Sequence, residues 1–410
     1  MKLKSSSIYY ALFLSLIIAL FLGGMILFSS FTRQLDTKLE MQNSLIDNAK
    51  SGIEYGLANT AELLESGAQD VDLFGRQHDS VLISAKKWGA YTVITSQSHF
   101  KGEQFLKVAM IGSKHQPTEY NLYVADLGRP ITLSGDTKLE GKIGVPETGL
   151  KRGNIAGQPY QNKRLNFGQR LNSARTLPEL SSTIIEEMKS LDVEIAPWKS
   201  QDSLDVSFSQ DAIHFVGDSF IDLDQETISG QIIIEARDSI FVGKESELNN
   251  VILKSKVVYI EEGFQGTIQV MASQKITLEQ NVTLKYPSNL TLCSTAKQIN
   301  ESACISIGSE SQVLGSIMAV SESPNFRYPV QIDIQEKATV HGLVYNQGRT
   351  QLNGTINGSL FTHKIYLETP SSKYENHLLN AQIKDDLPED FVFPPIFKSK
   401  ESLTKIQWLK

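Results

Sequence analysis

Residues 340–360, VHGLVYNQGRTQLNGTINGSL, carry one short pattern twice: aliphatic, any residue, Gly, any residue, aliphatic. The copies are Val340-His341-Gly342-Leu343-Val344 and Ile356-Asn357-Gly358-Ser359-Leu360. Reading outward, the pattern recurs around Gly230 and Gly266, around Gly315 one residue tighter, and in an early copy at Leu139-Glu140-Gly141-Lys142-Ile143. Asn250 stands where a Gly would fall, and Asn also tolerates left-handed backbone angles. A second alignment is offset from the first and gives strand, small or polar corner, strand, as in IIIEARDSIFVG and VILKSKVVYIEE. About 18 residues per copy at about 3.3 Å each gives a perimeter near 60 Å, the size of a narrow three-sided coil. A single copy cannot bury its inward face, so the copies must stack. A β-solenoid over 203–368 is the resulting expectation, and a β-sandwich is the alternative, since its strands alternate in the same way.

The N-terminus is a different material. Residues 8–31, IYYALFLSLIIALFLGGMILFSSF, contain no charged side chain and as a helix would span about 36 Å, enough to cross a hydrocarbon core. Lys2 and Lys4 precede this stretch without an acid, so the positive-inside rule puts residues 1–31 across a bacterial inner membrane with the body extracytoplasmic. The apolar run is longer than the core of a cleaved signal peptide and has no small-residue cleavage site, which favours a signal-anchor. Leu35, Leu39, Ile46, Ala49, Ile53, Leu57 and Leu64 then recur at helical spacing, so the helix should continue amphipathically to about residue 66. The alternating segments SVLISAKKWGAYTVITS, EQFLKVAMIG and EYNLYVADL complete an expected unit, 32–127, as an antiparallel meander. Residues 128–202 read as an irregular connector with a short helix at LPELSSTIIEEMKSLD, and 369–410 as a tail capping the last turn. The expected fold class is thus mainly β behind one transmembrane helix.

Two resemblances follow from these residues. The repeats around Gly342 and Gly358 resemble those of bactofilin-type polymer-forming solenoids over about 225–368. The apolar helix running amphipathically into a sheet is similar in layout to type IV pilins and type II secretion pseudopilins over 1–127. Pilins carry a Gly just before the mature N-terminus and usually a Glu at its fifth residue; here Gly23 and Gly24 lie within the apolar stretch and no acid precedes Asp36. The resemblances imply a structural protein with partners among the lipid bilayer, envelope or secretion-system proteins, or other copies of itself.

The search for chemistry is short. A net charge of -7 leaves no footprint for nucleic acid, and no Lys/Arg run makes one. Asp218, Asp222 and Asp224 are the nearest thing to a carboxylate cluster, yet they lack the Gly and bidentate Glu of a Ca²⁺ loop and read as a solvated strand face. Asp385-Asp386 reads as turn chemistry. The histidines, His78, His99, His115, His214, His341, His363 and His377, form no HExxH pair, and GxSxG and Walker A patterns are absent. Cys293 and Cys304 bracket the polar loop TAKQINESA, with a disulfide and two unpaired thiols as the alternatives. The expectation is a non-enzymatic membrane-anchored scaffold with no cofactor, whose marks are Gly141, Gly230, Gly266, Gly315, Gly342 and Gly358. A polysaccharide-binding or polysaccharide-degrading β-helix protein is the second reading.

Overall fold

The computed structural model describes residues 5–75, 80–114, 120–181, 194–200, 202–294, 302–322, 328–397 and 402–409. The chain is mainly β, with one long apolar helix at its N-terminus and a parallel, solenoid-like sheet. It divides into two compact units, Met1–Ser84 with Thr95–Lys107, and Ala85–Ile94 with Val108–Lys410.

In the first unit, helix α1 runs unbroken over Ser5–Ala58 and is followed by α2, Thr60–Ser66. From Ile8 to Phe31 the large apolar side chains of α1 point into open space; Phe21, for example, is 74% exposed. This is the one candidate membrane span among the described residues, with a mean hydropathy of 2.7 and nothing in its apolar window buried. Leu35 and Leu39, expected on the buried stripe, are exposed as well. Burial begins only at Leu45 and continues through Asn48, Ala49, Gly52, Ile53, Gly56, Thr60 and Leu63. Small residues set this seam: a Cβ on Gly52 would lie 2.1 Å from Ser96 Oγ and 2.8 Å from Val81 Cγ1. Close approach of the helix also lets Ser98 Oγ donate to the Leu45 carbonyl at 2.7 Å. Gln69–Val71 pairs antiparallel with the start of Val81–Trp88.

In the second unit, three ladders of parallel strands wind around one core. On the first side, Leu204 pairs with Ile228 and Ile228 with Leu248; Gly266, Leu284, Val313, Val340, Ile356, Ile383 and Leu139 continue the column. On the second side, Phe215 pairs with Ile234, Ile234 with Leu253, Leu253 with Val270 and Val270 with Leu290, and the ladder goes on to Leu360, Leu122 and Ile143. The third side runs from Ile221 through Ile240, Val258, Ile276, Ile305 and Ile332. Strands such as Glu247–Ile260 turn the corners, so ladders on neighbouring sides join into one closed sheet. The inward aliphatics form a single buried cluster along the stack. Every inward residue is therefore packed by the turns above and below it, and no turn is a core by itself.

Two features depart from the expected plan. Residues 120–172, read as meander end and connector, contribute turns to the stack itself: Leu122–Val124 lies on Leu360–Thr362, Ile143–Val145 on Leu122, and Arg170–Asn172 on Ile143–Val145. Thr132–Ser134 likewise pairs with His377–Leu379, beyond the expected end at 368. The stack thus starts at Glu194–Pro197, climbs to Gln382–Lys384, and is finished by a segment earlier in the chain. The last edge of the stack is consequently formed by residues 147–175 and not by the turn that precedes the tail. The tail runs along the flank instead, where Tyr286 Oη donates to the Val392 carbonyl at 3.0 Å and Phe397 packs on Tyr345 and Phe361. Leu403–Leu409 then pairs antiparallel with Val108–Ser113. Most of the expected short helix at 177–192 lies outside the described residues.

Part of the second side carries large buried side chains outside as well as inside, because it is covered within this unit. Met271, Met318, Tyr345 and Phe361 share an outward column and are all buried. Gln269, 3% exposed, clamps the Trp88-Gly89-Ala90 turn, accepting from the Ala90 N–H at 2.8 Å and donating to the Trp88 carbonyl at 3.0 Å.

Candidate functional site

The glycines of the repeat do not share one role. Ser288, Gly315, Gly342 and Gly358 stand in register on successive turns, and the three glycines have φ of +146°, +134° and +131°. A Cβ on Gly342 would sit 1.9 Å from the Gly315 carbonyl oxygen, and one on Gly358 would sit 2.1 Å from that of Gly342. Backbone passes over backbone here, which only Gly permits. Gly230 and Gly141 also have positive φ, +94° and +73°. Gly266 belongs to a different column: it pairs with Leu284, at an inward position, and the Phe264 ring occupies the space its side chain would fill. The aliphatic-x-Gly-x-aliphatic spelling is the same, but the two positions differ in the coil.

The acidic trio is not drawn together into a site. Asp222 lies outward on the third side, with its carboxyl held above the usual range by desolvation and by repulsion from Asp224 and Glu226. Asp218 offers its backbone carbonyl to the Arg237 N–H, and Asp224 packs against Gly243. Among the described residues no group of three His, Cys, Asp or Glu is placed to hold a metal. His214, 5% exposed, meets Glu235 at 2.9 Å, and Glu235 meets Lys254 at 3.1 Å. His341 and His363 are half-buried and held below the usual imidazole value chiefly by that burial. Asp385 accepts from Asn121 Nδ2 at 2.9 Å, and Asp386 brackets Asn357 through its backbone, so this acidic pair fastens the chain beside the glycine column. His78 and His115 lie outside the described residues.

No disulfide joins Cys293 to Cys304. Cys304 belongs to a network on the third side that its sequence position does not reveal. Its thiol donates to Asp333 Oδ2 at 3.5 Å, Gln331 Nε2 donates to both Asp333 oxygens at 2.7 and 2.6 Å, and Arg349 Nε donates to Gln331 Oε1 at 2.7 Å. The Arg349 guanidinium lies 4.5 Å from the Tyr366 ring centre, and Tyr366 Oη donates to Glu368. Burial, and then Asp333 beside it, push the Cys304 thiol far up, so it is protonated at neutral pH. A thiol in that state is a poor nucleophile, and the network ties neighbouring turns together laterally.

A second surface also escaped the sequence reading. Residues 147–175 form the terminal turn of the stack and hold Lys151, Arg152, Lys163, Arg164, Arg170 and Arg175 against one acid, Glu147. Their net charge is +5 while the rest of the chain carries -12. All six are exposed, and none forms an ion pair among the described residues. Arg152 donates to the Lys163 carbonyl at 2.6 Å and lies over the Tyr160 ring, and Arg170 packs across Gly149. The bases lie within one stretch of sequence as pairs and single residues with no longer run, and the terminal turn holds that stretch at one end of the coil.

Comparison with protein-family models, curated proteins and solved structures finds no match to this chain.

Proposed function

We propose that the protein is a non-enzymatic scaffold, tethered in a bacterial inner membrane by α1 and presenting its β body outside the cytoplasm as an assembly component of the cell envelope. The observation that carries this reading is the 24-residue stretch Ile8–Phe31, charge-free, helical and exposed along its length, within a helix that enters a folded unit at Leu45. Exposed apolar area of that extent is costly in water and is expected in lipid. The body supports a contact role in two ways. Its third side carries a polar network that ties neighbouring turns together, and its terminal turn offers six exposed cations that form no ion pair among the described residues to an acidic partner. The pilin-like layout and the bactofilin-like repeats point the same way, toward pilus-like, secretion or other envelope assemblies.

The test is fractionation of cells expressing the full chain. Carbonate-resistant membrane retention is expected, with cleavage beyond residue 50 by protease added outside spheroplasts, and release of a chain lacking residues 1–31. A soluble full chain, or protection of residue 50, refutes the tether. A purified body that depolymerised a glycan, and lost that ability on Asp222→Ala with Asp224→Ala, would replace the scaffold with an enzyme.

A further inference from the structure

The stack leaves a strand edge open on every side at both of its ends. At the start, Ser203–Val206 on the first side, Glu194–Pro197 on the second and Phe220–Leu223 on the third are each laddered on one flank only among the described residues. At the finish the same holds for Phe167 on the first side, Arg170–Asn172 on the second and Leu150–Arg152 on the third. These pairings are all parallel, so a second copy of the chain displaced along the coil axis meets open edges with open edges and keeps strand direction. Eleven steps of about 4.8 Å on the second side put the two ends about 50 Å apart.

The two ends are oppositely charged. Residues 147–175 carry a net charge of +5, and residues 195–226 hold seven acids against Lys199, a net charge of -6. Asp202, Asp205, Asp211, Asp218, Asp222 and Asp224 are exposed, while Glu226 is buried and accepts from Ser200 Oγ at 2.8 Å. Of the exposed acids only Asp211 meets a cation among the described residues, Lys86 at 3.9 Å. Desolvation, and then repulsion from Asp224 and Glu226, hold the Asp222 carboxyl above its usual range. At the other end Asp126 and Asp136, one turn below, accept from the Glu147 N–H at 3.0 Å and from Asn162 Nδ2 at 3.3 Å. The charges also match side by side. Asp222 lies on the third side with Lys151 and Arg152, Asp205 lies on the first side that Arg164 leads into, and Asp211 leads into the second side with Arg170. About 50 Å is several Debye lengths, so the ends cannot neutralise each other within one chain.

We propose that the basic end of one copy docks end-on against the acidic start of a second copy, so that bodies pair head to tail. This names the acidic partner of the scaffold reading and rests on that reading. Like ends repel, so the contact is heterologous and a two-fold contact through either end is disfavoured. Ile195 and Phe220 at the start and Phe167 at the finish are exposed and supply apolar contact among the charges. A coil of about 60 Å perimeter offers an end on the order of a few hundred Å², below the roughly 800 Å² per partner of a stable complex. Pairing is therefore weak between free chains and gains from the local concentration that a shared membrane gives.

The test replaces Phe220 of the full chain by the photo-crosslinker p-benzoylphenylalanine. This chain is reconstituted with an isotope-labelled unaltered copy in phosphatidylcholine vesicles and irradiated, and crosslinks between copies are mapped by mass spectrometry. Crosslinks into residues 147–175 of the labelled copy are expected, and their yield should fall about tenfold when salt is raised from about 0.05 M to about 0.5 M. Arg152→Glu with Arg170→Glu in the labelled copy should remove them. Adding Asp222→Lys with Asp224→Lys to the crosslinker chain should restore them, which a merely structural effect of the substitutions would not do. Should these variants melt below the unaltered chain, the salt dependence of the unaltered pair decides. Crosslinks into residues 195–226 of the second copy, a yield indifferent to salt, or no crosslink between copies would overturn the proposal. A chain that does not enter the vesicles refutes the membrane tether itself; one that enters and yields no crosslink refutes only the pairing.

Discussion

Replacing Gly342 by Ala adds one methyl group at the most crowded point of the glycine column. Two costs combine. At φ of +134° an L-residue sits in a backbone region that costs about 1–3 kcal/mol. The added Cβ would also lie 1.9 Å from the Gly315 carbonyl oxygen and 2.9 Å from Phe391 Cζ. The ring can move, but the carbonyl is held in the parallel ladder, so overpacking adds about 1–3 kcal/mol. The loss should total about 2–6 kcal/mol, and at about 1.2 °C per kcal/mol, from about 2.1 cal/mol/K of unfolding entropy per residue, the melting point should fall by about 2–7 °C. Gly157→Ala is the control: its φ is +76°, yet nothing lies within 4 Å of a Cβ there, so only the backbone cost of about 1–2 kcal/mol applies. Gly266→Ala has an ordinary φ, but its Cβ meets the buried Phe264 ring at 2.6 Å and the Leu248 carbonyl oxygen at 2.8 Å, so it carries the overpacking cost of about 1–3 kcal/mol without the backbone cost. Circular dichroism melts of the three variants in detergent rank them directly. Equal melting points for Gly342→Ala and Gly157→Ala would show that the backbones do not pass as closely as the column requires.

Gln269→Leu should cost about 2–4 kcal/mol, since it orphans the buried Ala90 N–H and Trp88 carbonyl together; urea denaturation followed by Trp fluorescence measures it, and a loss under 1 kcal/mol would remove the clamp. His341 and His363 have depressed values in the folded chain, so the stability they allow is complete above the ordinary value of 6.5 and is lost as pH falls below it. The urea midpoint should therefore drop between pH 7.5 and 5 more steeply in the unaltered chain than in His341→Gln with His363→Gln, and parallel slopes would contradict this. Despite a net charge of -7, the chain should be retained on a cation exchanger at pH 7 by its terminal turn, and Gln at Lys151, Arg152, Lys163, Arg164, Arg170 and Arg175 should abolish retention; unchanged elution would mean the six cations do not act together.

What could be read in advance follows from how local each constraint is. Gly342 and Gly358 were legible because a backbone crossing tolerates no other residue, so the pattern repeats without substitution there. Gly266 wears the same pattern for another reason: Phe264, two residues earlier, folds its ring into the vacant inward position. The copy around Gly141 was visible, yet its neighbours were not recognised as turns of the stack. Strands of two to four residues, such as Lys138–Leu139 and Ile143–Val145, are too short to show alternation. The small-residue seam of α1 escaped a search for large aliphatics, because Gly52 and Gly56 serve the interface by being absent side chains. Gln269 is one polar residue in an apolar run, and only the turn it clamps explains its burial. The network of Cys304, Asp333 and Arg349 spans three turns, and no local spacing encodes it.

The order in which the chain visits the stack has a consequence for how the body is built. Neighbouring turns such as Ile240 and Val258 are closed by loops of about 18 residues, whereas Leu122 pairs with Leu360 and Leu139 with Ile383 across about 240. Loop-closure entropy grows as the logarithm of length, so each such closure costs about 2.3 kcal/mol more than a local one. Residues 120–172 also have no inward face to share until the Thr355–Thr369 turn exists to receive them. The earliest-made segment of the stack is therefore expected to dock last, onto a platform formed much later in the chain. Docking converts the hydrophobic edge of the final turn into a charged one, because Leu360 and Ile383 are covered and Lys151, Arg152 and Arg170 become the new end. The early segment thus protects the growing stack from strand addition and, in the same step, assembles the basic surface, so that surface exists only on a completed body.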